Sequence, residues 1–225
     1  VDADPQADVS ASFGFRDCDN SNEILTSLME MVIRDEEIPE GCFVKHQEEG
    51  IDIICSNIGL AGTEVQLVNA MSREFVLKQI LSKVKDQYDF ILIDCMPSLG
   101  MITINALAAA DQVMIPVEAS YLPIKGLQQL LKTIGKVRRQ INTRLQISGI
   151  LFSMVNAHTK DAQNNMKLLY DTYGSAIRIF QSYIPFSVRM KEAVREGQSI
   201  LKYDASGKVS KAFMDLTKEV LDHES

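Results

Sequence analysis

The sequence predicts an α/β protein, a mostly parallel sheet with helices on both faces in the doubly wound manner, and three observations predict it. Short β-branched runs alternate with stretches of helical apolar spacing, the order that a parallel sheet with crossover helices requires. The run 89–94 (DFILID) is continuously apolar and ends in an acid, the pattern of a strand buried on both faces. At 225 residues, 46% apolar and 24% charged, the chain is long enough for one sizeable core and has an ordinary globular composition. One domain over 1–225 is expected.

The opening VDADPQ begins like a strand interior and stops at Pro5, which a ladder interior does not accept. In 20–33, Ile24, Leu28, Met31 and Val32 fall at helical spacing, with Asn20 and Glu23 set like a capping box. The run 51–56 (IDIICS) reads as a strand. From 64 to 85 the helical spacing returns through Val65, Val68, Met71, Phe75, Ile80 and Val84. After the 89–94 strand come a helix at 102–110, a strand at 112–117 (QVMIPV) and a helix from 123 to 141. That helix turns Leu127, Leu130, Leu131, Ile134, Val137 and Ile141 inward, and Lys125, Lys132, Lys136 and Arg139 share its opposite face. Strands are expected at 147–153 and 177–180. Helices follow at 161–173, stopped by Gly174, and at 187–196, stopped by Gly197. A last helix, 208–221, holds Val209, Phe213, Leu216 and Val220 in register. No repeat, low-complexity tract or linker interrupts the series.

Charge is distributed unevenly. The formal net charge is −7, but residues 1–118 carry −14 and residues 119–225 carry +7. Between 119 and 160 stand seven bases and no acid, which marks either a surface for polyanions or a solvated helix face. Cys18, Cys42, Cys55 and Cys95 form no Cys-x-x-Cys pair and have three histidines for company, so reduced structural thiols are expected rather than zinc or a disulfide framework. No apolar run long enough to span a bilayer, secretory leader pattern or lipidation motif is found.

In parallel sheets ligands bind beyond the carboxyl ends of the strands, and Asp2, Asp4 and Asp94 all fall at or just past such ends. Like charges gathered there repel unless a cation or proton intervenes. Mg²⁺ is usually held by one or two carboxylates together with substrate phosphates, and the strand Ile91-Leu92-Ile93-Asp94 suits that role in nucleotide hydrolases. Taken alone, an apolar-Asp ending is equally a helix cap or the start of a turn. The phosphate cradle Gly-x-x-x-x-Gly-Lys-Ser/Thr is absent from the 225 residues, and Gly135-Lys136 and Gly207-Lys208 are each followed by Val.

An ordered series of motifs then resembles one family over essentially the whole chain. VDADPQ is followed by YDFILIDCMPSLG (88–100), NALAAAD (105–111), IPVEASYLPIKGL (115–127), IPFSVR (184–189) and KYDASGK (202–208). Together they resemble the ParA/Soj partition ATPases with a deviant Walker A motif, a P-loop NTPase-like fold. The resemblance implies that Asp4 orients the attacking water, that Asp2 lies near Mg²⁺, and that Asp94 is the Walker B acid holding Mg²⁺ largely through water. Pro97, Ser98 and Gly100 would sense the γ-phosphate, and Asn156, Pro185, Ser187 and Val188 would enclose the adenine. Arg189 and Lys208 match the family's non-specific DNA surface, to which Lys132, Lys136 and Arg139 on the basic helix face are added. The implied cofactors are ATP and Mg²⁺. The implied partners are a second copy of the chain in an ATP-dependent homodimer, a ParB-like centromere-binding protein and non-specific DNA, with no membrane. The implied location is the cytoplasm, on the nucleoid.

Three departures matter. The family's phosphate loop, with its lysines, would lie ahead of Val1, so the fold is expected to lack its first strand and helix and to leave apolar edges exposed. Met96 stands where the family usually has Pro, and His158 where it often has Arg. These 225 residues alone are therefore expected to hydrolyse no ATP, while the parent protein is an ATPase. A Min-type relative would need a basic amphipathic C-terminal helix, but the tail KEVLDHES is acidic and short. An iron-protein relative would need cysteines placed to bridge a cluster between subunits. The alternative from another class is a non-enzymatic interaction protein that keeps only a DNA-binding or partner-binding surface.

Overall fold

The computed structural model describes residues 1–16, 23–40, 45–47, 49–119 and 123–224. Asn20 of the expected capping box and the side chain of Lys125 lie outside the described residues. The residues group into two compact units, Val1–Asp111 with Ile134–Arg144, and Gln112–Thr133 with Leu145–Ser225.

The first unit runs β1 (Asp2–Ala3), α1 (Asp8–Ser12), α2 (Leu25–Ile33), β2 (Lys45–Gln47), β3 (Ile51–Ile53), α3 (Leu60–Leu67), α4 (Val76–Ser82), β4 (Asp94–Cys95) and α5 (Met101–Ala109). β1 pairs in parallel with β4, Asp2 opposite Asp94 and Ala3 opposite Cys95. On its other side the Asp2 N–H donates to the Ile54 carbonyl at 3.0 Å, just past the end of β3. Leu25, Leu28, Met29, Leu60, Leu67, Leu77, Ile80 and Ile102 are sealed from solvent against Ala3. Each such side chain contributes about 1.5–3 kcal/mol of burial.

Three expectations differ from the structure in this unit. The 64–85 helix is broken: α3 ends at Leu67, Ser72 takes φ 49°, and a 3₁₀ turn at Arg73–Phe75 leads into α4. Val65, Val68 and Met71, read from their spacing as inward, are 70%, 53% and 94% exposed. Asn105 makes the break affordable. Fully buried, it donates Nδ2 to the Arg73 and Met101 carbonyls at 2.8 and 2.9 Å and accepts from the Leu77 N–H at 3.0 Å, so backbone groups freed by the break are paired. The second failure is the doubly buried strand 89–94. Strand pairing begins only at Asp94, and Phe90 and Leu92 are 51% and 81% exposed. Burial on both faces needs a layer packed on each; Ile91 and Ile93 pack against the first-unit core, while among the described residues the face bearing Phe90 and Leu92 stays open. The helix expected from Asn20 starts after Ile24, which makes no side-chain cap bond.

The second unit holds β5 (Gln112–Glu118), β6 (Gln146–Ser153), α7 (Lys160–Tyr173), α8 (Val188–Glu196), α9 (Ile200–Tyr203) and α10 (Lys208–Glu224). Helix α6 (Pro123–Gln140) belongs in its first part to this unit and in its last turns to the other. β5 and β6 run parallel, with a register irregularity between Val113 and Met114. There Gly149 takes φ 155°, and a Cβ on it would stand 2.9 Å from the Phe180 ring. The strand expected at 177–180 shrinks to a bridge between Ile150 and Ile179, with Ile150 N–H to the Arg178 carbonyl and Phe180 N–H to the Ile150 carbonyl at 2.9 Å each. Leu151, Phe180, Ile184, Ala193, Ile200, Val209 and Leu216 form the core here. Thr159, Ser187 and Ser199 cap α7, α8 and α9 by accepting from the N–H groups of Ala162, Arg189 and Lys202, each cap contributing about 1 kcal/mol.

Candidate functional site

The parallel register of β1 and β4 sets Asp2 directly beside Asp94, as the strand-end reading expects. The two carboxylates differ in environment. Asp2 is fully buried, and its oxygens accept from Asp4 N–H (3.2 Å), Ser10 N–H (2.8 Å) and Ser10 Oγ (2.7 Å). Asp94 stays solvent-accessible, yet partial enclosure first, then the carboxylates of Asp2, Asp4 and Asp8, hold it above the ordinary carboxylate range. Asp4 follows on the turn leading to α1. Its Oδ1 accepts from Gln6 N–H at 2.9 Å, its carbonyl accepts from Ala7 N–H at 3.0 Å, and Ala7 takes φ 57°. Oδ2 of Asp4 has no hydrogen bond among the described residues. Carboxylates gathered this closely repel one another unless a cation or proton intervenes. Among the described residues, however, no group of three or more His, Cys, Asp or Glu is arranged as a metal cage. One or two carboxylates with water remaining is the donor set that suits Mg²⁺.

The segment after β4 is a tight turn at the entrance to α5. Ser98 N–H donates to the Met96 carbonyl at 2.7 Å, Thr103 Oγ1 donates to the Ser98 carbonyl at 2.9 Å, and Gly100 precedes the helix in an extended conformation. The Glu64 carboxylate, from α3, occupies the space where a Cβ on Gly100 would lie. Pro97 is exposed, and Ser98 and Gly100 are half-buried.

In the second unit a groove of about 680 Å³ is lined by Asn156, His158, Pro185, Phe186, Lys208 and Lys211 among others. It brings together Asn156, Pro185 and Lys208 of the expected residues. Ser187 instead caps α8, and Val188 is 60% exposed outside the groove. Val155 and Pro185 are bridged in parallel, with Val155 N–H to the Ile184 carbonyl at 3.0 Å, which fixes the groove floor. Glu219 on α10 holds its rim. It accepts from Gln181 N–H and Ser182 N–H at 2.9 Å each and from Arg178 Nη2 at 3.2 Å. Burial alone would raise the Glu219 pKa, but these donors outweigh it and hold it below the ordinary value. On α6, Lys132, Lys136 and Arg139 are exposed while Leu127, Ile134 and Val137 are buried, as the periodicity predicts. Arg189 is exposed and paired with Glu192 at 3.2 Å.

Sequence reasoning missed Ser10, Glu64, Glu219 and Asp8. Only Asp8 carried a signal, as a further acid four residues beyond Asp4.

Paired acids on adjacent parallel strands, with a third on the next turn, are an arrangement that α/β nucleotide hydrolases use to hold Mg²⁺. A family model described as an AAA domain matches residues 1–147. The sporulation initiation inhibitor protein Soj of Bacillus subtilis is 36% identical over 221 residues, 98% of this chain and 84% of that protein. The chromosome-partitioning ATPase Soj of Treponema pallidum is 42% identical over 168 residues, 75% of this chain and 66% of that protein. Among solved structures, cobyrinic acid a,c-diamide synthase from Mycobacterium smegmatis with bound ATP analog and magnesium superposes with a TM-score of 0.75 at 28% identity. That match covers 92% of this chain and 83% of the other. This chain belongs to the ParA/Soj family of partition ATPases.

Proposed function

We propose that the protein acts as a Mg²⁺-dependent ATPase in plasmid or chromosome partition, a switch that dimerises with ATP and in that state binds DNA without reading sequence. The observation that carries this reading is the in-register pairing of Asp2 with Asp94, with Asp4 on the next turn. Asp94, accessible and raised in proton affinity by partial enclosure first and its acidic neighbours second, would hold Mg²⁺, largely through water. The ion would supply charge neutralisation at the phosphates. Asp4 offers Oδ2 to the attacking water, Oδ1 being committed to Gln6. The turn bearing Pro97, Ser98 and Gly100 responds to the γ-phosphate. Asn156 and Pro185 at the groove, with Ser187 and Val188 beside them in sequence, receive the adenine.

Lys132, Lys136 and Arg139, with Arg189 and Lys208, meet DNA phosphates. A ParB-like partner stimulates hydrolysis, and the protein works in the cytoplasm on the nucleoid. Among the described residues no helix is long and apolar enough to cross a membrane.

The test is Mg²⁺-dependent phosphate release by the full-length protein. DNA affinity should fall steeply with salt, and each of Lys132, Lys136 and Arg139 replaced by Ala should lower the log–log salt slope by about 1. Full-length protein that binds DNA but never turns over ATP would establish the interaction-protein alternative instead.

A further inference from the structure

Asp2 and Asp94 are opposite one another on paired strands, yet only Asp94 is reachable from solvent. Every bond made by the Asp2 carboxylate points into the protein. Oδ2 accepts from both the N–H and the hydroxyl of Ser10, and Oδ1 accepts from Asp4 N–H. The Ser10 hydroxyl is used twice, since it also accepts from Ser56 N–H at 3.1 Å. Ser10 is itself fully buried, and Asp2 N–H is committed to the Ile54 carbonyl. The carboxylate thus joins three pieces of chain: the turn that carries Asp4, helix α1, and the stretch 54–56 beyond β3. A carboxylate receiving one hydroxyl and two amide donors makes charge-assisted bonds stronger than neutral ones.

We propose that Asp2 is a positioning residue: through Ser10 it fixes the turn 4–7 so that Asp4 Oδ2 is held toward the reacting water, and it does not belong to the Mg²⁺ shell. This rests on the reading in which Asp4 orients that water. The reach of the arrangement is short and rigid. Asp2 pins the Asp4 backbone by its N–H, and the Asp4–Gln6 bond then pins the Asp4 side chain. Displacing a group at the reacting centre by about 1 Å can cost about 100-fold in rate, so loosening this bracket should act on turnover and leave ligand affinities alone.

The experiment uses full-length protein and measures kcat, KM for ATP and the Mg²⁺ concentration for half-maximal rate. Ser10→Ala, which deletes the shared hydroxyl and adds no bulk, should lower kcat by about 10- to 100-fold. KM and Mg²⁺ half-saturation should stay within about twofold, a split that general destabilisation would not produce. Ser10→Thr, which restores the hydroxyl, should recover most of the rate. Asp2→Asn should behave like Ser10→Ala. If Asp2→Asn instead raises the Mg²⁺ requirement and regains full kcat at saturating Mg²⁺, Asp2 is an ion ligand and the proposal is overturned. Should Asp2→Asn fail to fold, the Ser10 pair decides alone: full rate in Ser10→Ala, or no recovery in Ser10→Thr, overturns it. Asp4→Asn separates the two readings. If it is inactive while Ser10→Ala is fully active, only the positioning fails; if it turns over normally, the role of Asp4 fails first.

Discussion

Replacing Glu219 by Gln tests whether one carboxylate holds the rim of the second-unit groove. In the folded protein it accepts two backbone N–H groups at 2.9 Å and the Arg178 guanidinium at 3.2 Å. The pair is 30% and 17% exposed, and Arg178 also lies 4.7 Å over the Phe180 ring. Bonds to a charged acceptor contribute roughly 1.5–3 kcal/mol each when enclosed. The Gln181 N–H lies toward solvent, and a neutral amide still accepts one donor, so the net loss should be about 2 kcal/mol. For a chain of this length that is a fall of roughly 4–8 °C in Tm.

The pH dependence gives the sharper check. Because the folded-state pKa of Glu219 is depressed, its stabilisation is present in full above the unfolded value of about 4.3 and is lost as pH falls through the folded value. Urea midpoints of wild type and Glu219→Gln should therefore differ by a constant amount from pH 7 down to about pH 5 and draw together progressively as pH falls below about 4.3. A gap that persists undiminished below that value, or a Tm change under about 1 °C, would refute the reasoning.

Gly149→Ala forces a Cβ against the buried Phe180 ring at a φ of 155°. It should cost about 2–4 kcal/mol in urea unfolding, from backbone strain and overpacking together. Burial first, and the Asp94 carboxylate second, push the Cys95 thiol up to about 11. Iodoacetamide should therefore label it very slowly at pH 8, where only about one in a thousand such thiols is ionised, and rapid labelling at that pH would contradict this environment. Leu28→Ala, at a fully sealed position in the first-unit core, should destabilise by about 2–5 kcal/mol, read from the urea midpoint.

What the sequence made legible was local. The basic and apolar faces of α6, the helix stop at Gly197 and the strand-end acids all depend on neighbours within a few positions. The unread features depend on residues far away in the chain. Glu219 meets Arg178, Gln181 and Ser182 across 37–41 positions, and Ser10 meets Ser56 across 46. The helix break near Ser72 was hidden because Val65, Val68 and Met71 keep a helical rhythm while facing solvent. The exposure of Phe90 and Leu92 was hidden because an apolar run records what a strand tolerates, while its neighbours decide what it receives.

Asn105 carries a consequence for how this chain can vary. Its amide serves two carbonyls and one N–H with opposite ends of one planar group. Asp matches the shape but offers no donor to Arg73 and Met101. Leu matches the volume and serves none of the three. In a saturation library selected for soluble protein this position should therefore accept almost nothing else, in contrast to the exposed Met71 nearby, where most substitutions should pass.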